Sequence, residues 1–372
     1  MEMVRWLRNN PRASSWTLSG EIMYDRETRD GTLATGIGSY TALITAGGIG
    51  TRLLPFSKEI PKEMFPIISR NGDNSLQLTP VIQAIFEQLY TVGLRRFFIV
   101  VGRGKRAIED HFSPDFQFLE FLSKKGKSVD SLTEFYDKIR SSDLLFLNQI
   151  EPLGFGDAVL VARPVIRGPF LVQAADTFIL SDRNGYLNRL VSVHEKYDAA
   201  ATILLQKVPD PRRYGVIEGD FLEDGVLRVT SAVEKPQEPR SNLAIMPVYL
   251  FTEAIFDALS EIQPGLGGEV QLTDAIQKLV AEGETVLGVP LDDGERRLDI
   301  GSVETMIEAL KISLAFVDEE AAVPSEPAAA WGPSLARDSE PGLANLAHKT
   351  GRSLALPPPP IPEPSEGTTE RR

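Results

Sequence analysis

The chain has 372 residues, 42% of them hydrophobic and 24% charged, with no cysteine and a formal net charge of −13. This composition suits a globular protein of one large domain or two small ones. It excludes disulfides, thiolate metal sites and cysteine nucleophiles, fits a reducing, cytoplasmic compartment, and disfavours nonspecific nucleic-acid binding. No apolar run approaches the length of a membrane span, and no apolar stretch near the start reads as a signal peptide. Neither a membrane nor a nucleic acid is expected as a partner.

Residues 1–38 show no sustained period and are expected to be an N-terminal extension, disordered in part. From 39 to 320, strand-like and helix-like segments alternate. Strands are expected at 40–46, 96–102, 144–149, 169–176 and 200–206. The first intervening helix takes Thr79 as N-cap and Pro80 as its first residue, sets Val81, Ile82, Ile85 and Leu89 on one face, and stops at Gly93. Residues 115–142 form a helical insertion, and 215–250 suggest antiparallel strands around the turn Asp224-Gly225. A helix over 302–318 closes the folded part. Residues 321–372 hold 10 of the 26 prolines and are expected to be a disordered tail. The expected fold class is α/β: a Rossmann-like, mostly parallel sheet with helices on both faces and a small antiparallel element. Ligands of such sheets bind at the carboxyl ends of strands, which the loops after 46, 149 and 176 leave.

The first of those loops, AGGIGTRLLPFSKEIPKEMFPI from Ala46 to Ile67, is the most informative segment. Gly47, Gly48 and Gly50 lack Cβ atoms, so their N–H groups can approach an anion closely. Thr51 and Arg52 follow at once, and Lys58 and Lys62 lie within reach. The segment reads as a cradle for a polyphosphate. A P-loop is excluded because no Lys-Ser or Lys-Thr follows the glycines, and the dinucleotide fingerprint because Leu53 stands where its third glycine would be. Two carboxylates at strand ends, Asp176 and Asp299, suit a hard cation such as Mg²⁺, but each can equally be a cap or turn residue. Taken bare, Gln149 is a strand-end glutamine and Glu234-Lys235 a solvated charged pair.

The glycine loop resembles the signature of the sugar-1-phosphate nucleotidyltransferases. Further segments occur in the order of the bacterial-type UTP–glucose-1-phosphate uridylyltransferases (UDP-glucose pyrophosphorylases). They are GRGKRAIEDHF (102–112), PLGFGDAV (152–159), AADTFI (174–179), RYGVIEG (213–219), VEKP (233–236), SNLAI (241–245), GGEVQLTDAI (267–276) and LDIGS (298–302). The resemblance covers about residues 40–318 and implies that UTP and glucose 1-phosphate yield UDP-glucose and pyrophosphate, with Mg²⁺ as cofactor. It implies that Arg52 and Lys62 act on the nucleotide phosphates and that the loop Ala46, Gly47, Gly48, Gly50 and Thr51 binds the nucleotide. Gln149 and Gly154 match the base-reading positions. Gly215, Glu234 and Lys235 match the sugar-phosphate positions in the antiparallel element, with Lys235 also catalytic. Asp176 and Asp299 match the metal aspartates, and Glu269 and Gln271 are typical of the family without a role attached. A homo-oligomer, dimer or tetramer, is implied as well.

Two departures stand out. Asp157 sits where many members carry histidine, and Met246-Pro247 where a glycine-containing turn is usual. They bear on the base or ribose contacts and on the identity of the sugar. Two alternatives compete. A thymidylyltransferase acting on the same sugar phosphate is disfavoured by the 115–142 insertion. A noncatalytic nucleotide-sugar sensor would be expected to have lost Lys62, Asp176, Lys235 or Asp299, and all four are present.

Overall fold

The computed structural model describes residues 36–322 except Glu223, with side chains described as far as Asp318. The expected tail and nearly all of the expected extension lie outside the described residues. Strand β1 (Thr41–Ala46) is buried at every position, as suits a central strand covered on both faces. Three single-turn 3₁₀ segments and a hairpin of β2 (Pro66–Arg70) and β3 (Leu76–Pro80) follow. Helix α1 (Val81–Thr91) buries Val81, Ile82, Ile85 and Leu89, and the chain leaves it through Gly93 at φ 110°. Then come β4 (Arg96–Gly102), α2 (Arg106–His111), α3 (Phe116–Lys124), α4 (Asp130–Arg140) and β5 (Asp143–Gln149). Asp115 caps α3 by accepting from the Phe118 N–H at 2.9 Å. The chain continues through α5 (Phe155–Leu160), β6 (Phe170–Ala174), β7 (Thr177–Leu180), α6 (Gly185–Lys196) and β8 (Ala201–Lys207). The last part holds β9 (Gly215–Phe221), β10 (Leu227–Glu234), β11 (Leu243–Phe251), α7 (Ala254–Glu261), α8 (Leu272–Ala281), β12 (Val286–Pro290), β13 (Arg296–Asp299) and α9 (Val303–Ala322).

Among the described residues one nine-stranded sheet has the order β5-β4-β1-β6-β11-β8-β12-β10-β9. Alternate residues of β1 divide between two core clusters. Ala42, Ile44 and Ala46 pack with α1, α4 and α6, whereas Leu43 packs with α5, α7 and α8. The chain first adds β4 and β5 on one side of β1, then returns to place β6 on the other. The order of strand addition therefore reverses between β1 and β6, and a crevice opens beyond their carboxyl ends.

The sheet is mostly parallel, as expected: β11, between β6 and β8, and β10, between β12 and β9, run against the other strands. The expected antiparallel strands around Asp224-Gly225 are β9 and β10, which form one edge of the main sheet. Other expectations need correction. Thr79 does not cap α1. It lies in β3 opposite Ile67, and its hydroxyl is 2.7 Å from that of Ser69. Pro80 takes the cap position, because the hairpin has already claimed residues 76–80 as strand. The strand expected over 169–176 stops at Ala174, where the chain bends into β7. Met246-Pro247 makes no turn: β11 continues past it with a register irregularity, and the Met246 side chain is buried in the core.

The structure also makes stability depend on pH. His194 in α6 is buried, with Nδ1 3.0 Å from the Thr202 hydroxyl. Burial lowers its pKa from 6.5 to about 4, against a weaker opposing pull from Asp198. Folding therefore excludes a proton that the unfolded chain binds below about pH 6.5. This contribution is complete above that pH and is lost as pH falls towards 4, by on the order of 3 kcal/mol. Urea denaturation at pH 7.5 and 4.5 should show that loss, and His194→Gln should reduce it.

Candidate active site

The glycine loop leaves β1 at the reversal point. Gly50 adopts φ 71°, a left-handed conformation that favours glycine, and its carbonyl accepts from the Ser57 hydroxyl at 2.7 Å. Thr51 and Arg52 form a short exposed turn directly after it. Among the described residues Arg52 has no ion pair, which leaves its guanidinium free for an anion. Lys58 turns to the surface and pairs with Glu59 at 3.2 Å. Lys62 follows Pro61 in a single 3₁₀ turn, and its side chain runs beneath the loop. A Cβ on Gly48 would lie 3.5 Å from Lys62 Nζ, and one on Gly50 would lie 3.7 Å from Lys62 Cδ. The ammonium ends in an ion pair with the Asp176 carboxylate.

Asp176 stands at the bend between β6 and β7. The ladder of β7 and β13 sets Asp299 opposite Thr177, and the Ile300 N–H donates to the Asp176 carbonyl at 2.9 Å. Two carboxylates far apart in sequence thus become neighbours. Burial and then the charge of Asp176 push Asp299 above the usual carboxylate range. Burial also pushes on Asp176, but Lys62 outweighs it and holds Asp176 low. Burial pulls the Lys62 ammonium down, yet the charges of Asp176, Glu63 and Asp299 hold it above the ordinary lysine value. Crowded carboxylates of this kind favour a cation between them. Among the described residues no group of three or more His, Cys, Asp or Glu side chains converges as a metal cage. Asp176 and Asp299 therefore suit an ion that takes one or two carboxylates and completes its shell from water or phosphate.

Across the crevice, Gln149 ends β5 beside Gly102 of β4. Its side chain reaches over the sheet to Gly47, where any Cβ would overlap Gln149 Oε1. Gly154, at φ 114°, sits against Val270, and a Cβ there would lie 2.8 Å from the Val270 carbonyl. The segment 153–156 is tied to Val270 by hydrogen bonds of 2.7 and 2.9 Å. Gln271 donates to the Leu266 carbonyl at 3.1 Å and to Glu269 at 3.3 Å, so both residues shape this wall.

On the antiparallel flank, Glu234 pairs with Gly215 across β10 and β9. The Thr273 hydroxyl donates to Glu234 Oε2 at 2.6 Å, and Lys235 Nζ is 3.0 Å from Glu234 Oε1. A Cβ on Gly215 would lie 2.7 Å from the Thr273 oxygen. Lys235 itself is held at φ 42°, a strained conformation for a residue with a Cβ.

One pair escaped the sequence reading. Lys105 Nζ lies 2.6 Å from Glu63 Oε2, and both side chains are nearly inaccessible. The pair ties the loop after β4 to the turn that carries Lys62. Its signal was present, since Lys105 falls in GRGKRAIEDHF and Glu63 in PKEMFPI, but neither segment points to the other.

Residues 41–315 match the nucleotidyl transferase family. The chain is 36% identical over 273 residues to the UTP–glucose-1-phosphate uridylyltransferase of Pseudomonas aeruginosa, covering 72% of this chain and 93% of that protein. It is 40% identical over 247 residues to the Bacillus subtilis protein of the same name, covering 64% and 79%. A UDP-glucose pyrophosphorylase solved with UDP-glucose matches with a TM-score of 0.64 at 32% identity, over 75% of this chain and 99% of that one. A UTP-bound UGPase from Acinetobacter baumannii matches with a TM-score of 0.63 at 27% identity, over 76% and 99%.

Breaking the Glu63–Lys105 pair on one side leaves a buried charge without a partner. Lys105→Met should cost about 3–5 kcal/mol in chemical denaturation, and adding Glu63→Gln should recover much of it.

Proposed function

We infer that this chain, which belongs to the nucleotidyl transferase family, forms UDP-glucose and pyrophosphate from UTP and glucose 1-phosphate. The observation that carries this reading is the meeting of Lys62, Asp176 and Asp299 under a glycine loop where strand order reverses. A phosphate oxygen of glucose 1-phosphate attacks the α-phosphorus of UTP. The new P–O bond forms as the bond to the β-phosphate oxygen breaks, and pyrophosphate leaves in line. The attacking phosphate is already anionic near neutral pH, since its second pKa is about 6. No general base is needed. Consistently, His194 is buried in the core and His111 is half-buried, and burial lowers the pKa of each to about 4.

Catalysis on this reading is positioning and charge neutralisation. Backbone N–H groups of Ala46, Gly47, Gly48, Gly50 and Thr51 cradle the triphosphate, and Arg52 adds a guanidinium from the exposed turn. Lys62 is confined beneath the loop, where its ammonium offsets charge developing on the departing phosphates. Lys235 anchors the sugar phosphate, and Glu234, fixed by Thr273, accepts from sugar hydroxyls beside the Gly215 backbone. Gln149 and Gly154 read the base. Asp176 and Asp299 fit Mg²⁺, which would supply further neutralisation of phosphate oxygens.

The direct test is pyrophosphate release from each nucleoside triphosphate against several sugar 1-phosphates. UTP with glucose 1-phosphate should be preferred, and dTTP should follow within about 10- to 200-fold, because it differs by one methyl and the 2′-OH. A preference for dTTP or for a purine nucleotide would overturn the reading. Asp176→Asn should lose on the order of 10²-fold or more in kcat, the scale of one lost electrostatic group. Lys62→Ala should depress kcat with UTP. Lys235→Ala should raise KM for glucose 1-phosphate and lower kcat while leaving KM for UTP nearly unchanged. Steady-state kinetics with each substrate varied in turn separates these effects.

A further inference from the structure

Gln149 does more than end a strand at the crevice. Its Nε2 donates to the Gly154 carbonyl at 3.1 Å and to Asp157 Oδ2 at 2.7 Å. Both partners are acceptors, a backbone carbonyl and a carboxylate. Turning the amide over would set Oε1 against two oxygens, lone pair to lone pair. The orientation is therefore dictated by chemistry. Both amide hydrogens are spent inside the protein, and Gln149 has nothing left to donate.

The other end of the amide is free. Oε1 accepts no hydrogen bond from the described residues and lies over Gly47, which has no side chain to cover it. Among the described residues the only fully enclosed side-chain oxygen or nitrogen without a partner is Gln173 Oε1. The Gln149 carbonyl is therefore not sealed off, although the residue is 4% exposed.

We propose that Asp157 is a positioning residue for base selection. It holds Gln149 with its carbonyl outward, so the slot takes a base that donates an N–H there. The N3–H of uracil does so, and so does that of thymine. Cytosine presents a lone pair at the same ring nitrogen and meets the carbonyl with repulsion. An unclamped glutamine could turn over and greet either base, and Asp157 removes that freedom. The inference rests on the reading of Gln149 as a base-reading residue.

The experiment compares kcat/KM for UTP and CTP, with glucose 1-phosphate, in wild type, Asp157→Asn, Asp157→Ala and Gln149→Ala, with calorimetric binding of each nucleotide alongside. An asparagine can offer its carbonyl or its amide, so Asp157→Asn removes the stronger of the two constraints on Gln149 and leaves only the longer contact to the Gly154 carbonyl against the turned orientation. The UTP-to-CTP ratio should fall at least about tenfold in Asp157→Asn and Asp157→Ala, on the scale of one lost hydrogen-bond discrimination. The fall should appear in nucleotide affinity, with KM for glucose 1-phosphate and the melting temperature unchanged. A ratio within twofold of wild type in both Asp157 variants, while Gln149→Ala narrows it, would overturn the clamp and leave the base-reading role standing. An unchanged ratio in Gln149→Ala as well would overturn both. Equal losses for UTP and CTP in the Asp157 variants leave the ratio unchanged and also count against the clamp.

Discussion

Everything chemical in this molecule depends on where the chain changes direction within its sheet. β1 and β6 are neighbours in space, yet four strands and five α-helices separate them along the chain. Because strands are added first to one side of β1 and then to the other, their extensions diverge and leave open space. The glycine loop enters that space from one side and the Asp176 bend from the other. Lys62 spans them. Its ion pair with Asp176 ties the two lips of the crevice together.

Electrostatics at the crevice run against the charge of the whole. The chain carries a net charge of −13, which repels polyanions at a distance. Screening shortens that repulsion to about 10 Å at ordinary salt. Close to the site, the local groups decide. Lys62 is held charged by three surrounding carboxylates, and Arg52 stands exposed beside the loop. One of the three, Glu63, has a closer cationic partner of its own in Lys105. The acidic surface and the cationic pocket are thus compatible, because one acts over nanometres and the other over ångströms.

Much of this was legible in the sequence, and the parts that were not share a cause. Buried strands such as β1 and β4 announce themselves by unbroken apolar runs, and α1 by its spacing of Val81, Ile82, Ile85 and Leu89. The glycines of the loop were visible, and so was a reason for them, the close approach of an anion. The second reason for Gly47 was invisible, because Gln149 comes from another strand two positions away in the sheet. Likewise Asp176 and Asp299 could be matched by resemblance but not paired by spacing, since the short ladder of β7 and β13 joins them. Thr79 was misread because capping is a local rule and the competing hairpin draws on residues 66–70. The place of β11 was hidden for a similar reason: it enters between β6 and β8, a placement that no local pattern encodes.

The place of β13 near the end of the fold has a consequence for how the protein comes into being on the ribosome. Strand β1 and its glycine loop emerge early, followed by Gln149 and Asp176. Strand β11, which joins the two flanks, follows only after β9 and β10, and Asp299 arrives last of all. Contacts between distant segments form slowly, and domains assemble as the chain is made, from its N-terminal side. A nascent chain can therefore hold a phosphate cradle while it still lacks the second carboxylate. The complete constellation comes into existence only when the sheet has closed around it, so an unfinished chain has half a site and no means to use it.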